Sequence, residues 1–121
     1  MKSKNFIIPL HIYPFDVMVS IGETDAELFP KLKKHGVDLD DKVLIHSDTM
    51  RGRCIMFAGN QTLIRMYRPV KTPQDYGNLQ HEIFHAVEFI MDKIGQSLCR
   101  KSDESYAYLI GYITTEIYKK L

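Results

Sequence analysis

The chain has 121 residues, which is enough for one compact domain of roughly 100–200 residues and too few for two. Hydrophobic residues make up 45% and charged residues 26%, a balance that excludes disordered, collagen-like and coiled-coil proteins. Sixteen basic residues against fifteen acidic ones leave a net charge of +1, so no excess of positive charge indicates a nucleic-acid or membrane partner. We therefore predict one domain over residues 1–121 that binds neither.

The two cysteines, Cys54 and Cys99, are too few and too far apart for a disulfide framework or a zinc knuckle. We expect both to be buried thiols in a reducing compartment. The N-terminal segment lacks a small-residue cleavage pattern, so the sequence predicts no secretory signal, and no run approaches the roughly 18 apolar residues that span a bilayer. These features favour a cytoplasmic protein.

The first elements of the chain are predicted to be strands followed by a helix. The stretch Phe6 to Ile21 is rich in β-branched and aromatic residues but contains prolines. It favours an irregular or edge strand followed by a firmer strand over residues 16–21. Thr24 or Asp25 can then cap a short helix over residues 26–35.

The middle of the chain carries further strand patterns. Residues 42–46 form one apolar run and residues 53–57 form another. Gly59-Asn60-Gln61 is typical of a chain reversal, and residues 62–67 resume the strand pattern. The last two runs therefore predict a hairpin.

After residue 73 the apolar residues take helical spacing. The pattern predicts a helix from Tyr76 to Ile94, ended by Gly95, and a second helix from Asp103 as its cap to the C-terminus. One helix upstream, a small mixed or antiparallel sheet and two C-terminal helices make an α+β fold.

The first of these helices contains the motif His81-Glu-Ile-Phe-His85. Two histidines four residues apart lie about 6 Å apart along the axis and about 40° apart around it, so both imidazoles can bind one metal ion. Glu82 lies about 100° around from His81, where its carboxylate can reach a water on that metal. A chain of this length and composition would contain roughly 0.01 copies of the motif by chance. The alternative is a pair of histidines that are only solvated or hydrogen-bonded.

A catalytic zinc ion usually has three protein ligands, so a third is sought after His85. No histidine follows, and the downstream carboxylates are those of Glu88, Asp92, Asp103, Glu104 and Glu116. Glu88 and Asp92 lie beyond His85 on the same helix, which favours a solvated or supporting role.

Asp103 and Glu104 begin the last helix and can fold back against the motif. Asp103 is the natural cap, which engages its carboxylate and leaves Glu104 as the ligand. The small residues Ala107 and Gly111 would allow the two helices to approach closely. The alternative is that Glu104 only interacts with the positive end of its helix.

The motif, followed after eighteen residues by Glu104, resembles the gluzincins, the zinc metallopeptidases with a glutamate ligand, such as the thermolysin-like proteases and zinc aminopeptidases. The stretch over residues 78–112 is similar to small single-domain HExxH proteins of tailed bacteriophages. The resemblance implies a minimal zincin in which His81, His85 and Glu104 bind one Zn²⁺ ion and Glu82 is the general base. It also implies a location in the host cytoplasm or the virion.

The chain departs from the larger gluzincins in two respects. These 121 residues predict no second domain that would complete a substrate cleft, and no residue is securely matched to the histidine or tyrosine that stabilises their oxyanion. Tyr106, Tyr108 and Tyr112 are the candidates, although tyrosines at helical spacing are also typical of a core or its rim.

The expected reaction is hydrolysis of a peptide or protein substrate. Glu82 would take a proton from zinc-activated water and return it to the leaving amine. An extended peptide could pair with an exposed strand over residues 62–67, flanked by Arg65 and Arg68, although arginines at such an edge are more often solvated residues that discourage aggregation. The alternative function is a non-enzymatic virion or partner-binding protein that retains the fold and its zinc.

Overall fold

A computed structural model of the chain describes residues 2–11, 15–38 and 51–121. In chain order its elements are β1 (Lys4–Pro9), β2 (Asp16–Ile21), α1 (Asp25–Lys34), β3 (Gly52–Met56), β4 (Gln61–Met66), α2 (Pro73–Lys93) and α3 (Asp103–Tyr118). The predicted α+β class, with one upstream and two C-terminal helices, is confirmed. The strand predicted over residues 42–46 lies outside the described residues.

The four strands form one mixed sheet in the order β1-β2-β4-β3. β2 and β4 are parallel, with Val19 opposite Ile64, whereas the two outer pairs are antiparallel. The prediction that residues 62–67 form an exposed edge is therefore wrong, because β4 is paired on both sides. Among the described strands, β1 and β3 form the edges of the sheet.

Alternate side chains of the central strands point to two separate cores. Val19 and Ile64 join the core beneath α2 and α3. Met18 and Leu63 join the other core, which is covered by Leu28 and other residues of α1. The period-two alternation of the strands thus places α1 on one face of the sheet and the two C-terminal helices on the opposite face.

The helix that carries the motif begins three residues earlier than predicted. Thr72 and Asp75 form a capping box in which each side chain accepts a hydrogen bond from the other residue's backbone N–H group. Pro73 occupies the first turn, where its missing N–H group costs nothing. The segment that begins at Thr72 and contains Pro73, which the sequence pattern predicts as a loop, therefore forms the start of α2.

The start of α3 differs from the prediction in its cap. Ser102, not Asp103, occupies the cap position, and its side chain makes no capping hydrogen bond. The buried Ser102 hydroxyl instead accepts a hydrogen bond from the Cys99 backbone N–H group and donates one to the Ser97 carbonyl. Asp103 lies in the first helical turn. Asp103 is therefore not the cap residue, and capping gives no reason to prefer Glu104 over Asp103 as the ligand.

The helices α2 and α3 pack side by side and run antiparallel. The Gln80 amide donates to the Thr114 hydroxyl at 3.1 Å, and the rings of Tyr76 and Tyr118 lie 5.4 Å apart. The step from Tyr76 to Gln80 on α2 thus corresponds to the step from Tyr118 back to Thr114 on α3. Within the described ranges, no helix combines the length and the apolar character needed to cross a bilayer.

Candidate metal centre

The two histidines of the motif lie side by side on α2. Their Nε2 atoms are 3.1 Å apart, and their ring planes meet at 77°. His81 is exposed and His85 is partly buried. A tetrahedral zinc ion with bonds of 2.0–2.1 Å would hold two nitrogen ligands about 3.3–3.4 Å apart. The pair therefore fits a zinc ion after an adjustment of a few tenths of an ångström.

The motif occupies the side of α2 that is turned away from α3. Gln80 marks the α3 side through its hydrogen bond to Thr114. At about 100° per residue, His81 and His85 lie about 100° and 140° around the helix from Gln80, and Glu82 lies about 200° from it. The histidines thus face outward, and Glu82 faces the sheet on the far side from α3.

Glu82 packs against the edge strand β3, where a glycine makes room for it. Glu82 is only 8% exposed. A Cβ atom added to Gly52 would lie 3.1 Å from Glu82 Cγ, 2.8 Å from Met66 Sδ and 3.3 Å from the Arg65 carbonyl oxygen. Sequence reasoning missed Gly52, although an isolated glycine in a strand is a known sign of close approach.

The surroundings of Glu82 shift its protonation equilibrium. Burial raises the pKa of the Glu82 carboxyl, because it disfavours the charged form, while His81, His85 and Arg53 partly oppose the shift. A carboxylate whose pKa is raised towards neutrality is better matched to general-base catalysis than an ordinary one. The burial that fits Glu82 against β3 thus also increases its basicity.

The two cysteines differ from each other. Burial raises the pKa of the Cys54 thiol beside Glu82, as expected for an unreactive thiol. Cys99 is exposed and Cys54 is only partly buried, so the prediction that both thiols are buried is wrong. The Ser102 hydroxyl, with the backbone of Lys101 and Ser102, lowers the pKa of the Cys99 thiol. Cys99 lies in the loop between α2 and α3.

The structure does not bring Glu104 to the histidine pair. Tyr106 of α3 is buried in the core. Glu104 lies two residues earlier, which is a rotation of about 200° around the helix, so its side chain points away from the core. The register of the two helices places it level with Ile90, about 10 Å along the axis from the midpoint of the motif. It is exposed in a shallow groove of α3 with Ala107, Tyr108, Gly111, Tyr112 and Thr115. Within the described part of the chain, no three His, Cys, Asp or Glu residues are grouped to hold a metal ion.

The three candidate oxyanion tyrosines lie on α3 in different surroundings. The Tyr106 hydroxyl donates to the Gln96 carbonyl at 3.1 Å, beyond the end of α2. The Tyr112 hydroxyl donates to the Pro9 carbonyl at 2.9 Å, at the opposite edge of the sheet from β3. Tyr108 is 75% exposed in the groove beside Glu104. Neither bonded hydroxyl is directed at the histidines.

The two arginines predicted to flank a substrate strand are also placed elsewhere. Arg65 is buried beneath the start of α1, where its guanidinium lies 2.8 Å from the Asp25 carboxylate and donates to the Glu23 carbonyl. It therefore faces away from α2, and its predicted role beside a substrate is wrong. Arg68 is exposed beyond the end of β4.

Comparison of the chain with protein-family models, curated protein sequences and solved structures found no match. The resemblance to gluzincins and to phage HExxH proteins consequently stays a prediction that depends on residues 78–112.

Proposed function

We propose that this protein is a zinc-dependent metallopeptidase in which His81 and His85 bind the ion and Glu82 is the general base. The observation that carries the proposal is the 3.1 Å separation of the two Nε2 atoms, with Glu82 on the same turn of helix. A bound zinc ion would polarise the scissile carbonyl and activate a water molecule.

Glu82 supplies the proton transfers in this proposal. Its side chain packs beside Gly52 of β3, and burial raises the pKa of its carboxyl, which suits it to accept a proton and then to donate it to the leaving amine. A glutamine at this position could make similar contacts but could not accept the proton. Glu82→Gln therefore separates catalysis from packing.

The candidate strand for substrate binding is β3, because β4 is paired on both sides. β3 pairs with β4 on one side only among the described strands, and it runs directly beneath Glu82. An extended peptide can add to such an edge through main-chain hydrogen bonds. We propose a peptide or protein substrate that binds in an open groove, in the host cytoplasm or within a virion assembly.

The third ligand is the open part of the proposal. Glu104 remains the residue that the gluzincin resemblance indicates, but in the structure it is exposed on α3, about 10 Å along the helix axis from the midpoint of the motif. This placement is the one observation that favours the non-enzymatic alternative, a partner-binding protein that retains the fold. Rotation and sliding of α3 would be required to bring Glu104 to the metal.

The proposal is tested with the purified full chain. We expect one zinc ion per chain and hydrolysis in a broad peptide library, with Glu82→Gln abolishing hydrolysis while zinc stays bound. Glu116→Gln, a change in a carboxylate on α3, is the matched control and should retain both. Zinc binding without any hydrolysis by the native protein would favour the alternative, and failure to bind zinc would reject both.

A further inference from the structure

The two nitrogens of the His85 ring have different neighbours. Nε2 lies 3.1 Å from Nε2 of His81, on the side where the metal would bind. Nδ1 lies 3.8 Å from Oε1 of Glu88, one turn further along α2. Phe89 stacks on the imidazole, with the ring planes 23° apart and the centroids separated by 6.2 Å. Nε2 of His85 thus faces His81 and Nδ1 faces the carboxylate of Glu88, both within the same helix.

We propose that Glu88 is a positioning residue for the metal centre. A neutral imidazole carries one N–H group, and an ionised carboxylate can only accept a hydrogen bond. Glu88 therefore favours the tautomer in which Nδ1 of His85 carries the hydrogen. That tautomer leaves the Nε2 lone pair free for the metal, in the same way that carboxylates support histidine ligands in other metal sites.

The size of the effect follows from the geometry. A separation of 3.8 Å is ion-pair distance and not yet a hydrogen bond, and the Glu88 side chain is 52% exposed. Loss of a group that supports a metal ligand typically weakens binding about 10–100-fold. Because water competes for the exposed Glu88 carboxylate, we expect a loss at or below the lower limit, about three- to tenfold.

The tautomer can be measured without any metal. Long-range ¹H–¹⁵N spectra at about pH 8.5, where an ordinary imidazole is neutral, should show His85 protonated on Nδ1. Glu88→Ala should shift the ring towards the Nε2–H form, and Glu88→Gln should restore Nδ1–H because its amide oxygen also accepts. Asp92→Ala removes the same charge one turn further from His85 and should have no effect. An unchanged tautomer in Glu88→Ala would overturn the proposal.

Zinc affinity provides the second measurement, and it depends on the proposed function, whereas the tautomer does not. Competition with a chelator should show zinc binding weakened about three- to tenfold by Glu88→Ala and by less than about twofold by Glu88→Gln or Asp92→Ala. Equal losses for Glu88→Ala and Asp92→Ala would assign the effect to net charge and overturn the positioning role. If the native protein binds no zinc, the proposed function fails, and the tautomer alone decides the role of Glu88.

Discussion

The two sides of α2 differ in what their contacts do. On the α3 side, Gln80 bonds to Thr114 and the Tyr76 ring lies against Tyr118, so the contacts hold two helices together. On the β3 side, Glu82 is buried over Gly52 with a raised pKa, and the histidine pair lies next to it. α2 thus packs against α3 on one side and carries the candidate metal ligands on the other, so residues of α3 need not be neighbours of the motif.

The largest expected effect comes from removing an imidazole. His81→Ala and His85→Ala should each weaken zinc binding by more than about 100-fold, because loss of a ligand should exceed the loss of a group that only supports one. Gln80→Ala, on the α3 side, should leave the affinity unchanged. Chelator competition measures all three variants. An equal loss of zinc affinity in Gln80→Ala would contradict the distinction between the α3 side and the β3 side of α2.

Gly52 tests how closely Glu82 depends on the edge strand. Gly52→Ala places a methyl group 2.8 Å from Met66 Sδ, 3.1 Å from Glu82 Cγ and 3.3 Å from a backbone oxygen, so we expect a loss of about 1–3 kcal/mol in the free energy of unfolding and reduced hydrolysis. Gly111→Ala is the control, because among the described residues nothing beyond its chain neighbours and its own helix backbone lies within 4 Å of an added Cβ atom, and it should stabilise α3 by up to about 1 kcal/mol. Urea unfolding measures both. An unchanged free energy of unfolding in Gly52→Ala would show that β3 does not confine Glu82.

Glu82→Gln should stabilise the metal-free protein at neutral pH by about 0.5–2 kcal/mol, because it removes a buried charge. The pKa of Glu82 is raised in the folded state, so its contribution is fully favourable below the ordinary pKa and is lost as the pH rises through the folded value. The advantage of glutamine should therefore grow from acidic to neutral pH. Urea unfolding at several pH values, with chelator present, measures it. An advantage that shrinks as the pH rises would contradict the raised pKa.

The smallest expected effect is that of Glu104→Ala. If the placement of α3 is kept when zinc binds, the affinity should change by less than about twofold, because an exposed charge about 10 Å along the helix is screened by water and salt. Chelator competition with Thr115→Ala as the control measures the change. A loss of tenfold or more would instead show that α3 moves and that Glu104 is the third ligand.

Local patterns in the sequence predict which residues belong to an element far better than which elements are neighbours. Residues 16–21 form the predicted strand, and the motif lies within the predicted helix, because both depend on periodicity within one segment. The order of the strands depends on pairing between distant segments, so β4 was wrongly placed at an edge. The predicted position of Arg65 beside a substrate depended on the same exposed edge and was wrong for the same reason. The placement of Glu104 likewise depends on the register between two helices, which no local pattern specifies.

The parallel pairing of β2 with β4 has a consequence for the order of assembly. Val19 pairs with Ile64, so the centre of the sheet closes a loop of about 45 residues. During synthesis, β2 has no central partner until β4 has left the ribosome, and α2 emerges only afterwards. Such non-local pairing slows folding. Because the motif follows β4 in the chain, all four described strands are synthesised before the motif that packs on them.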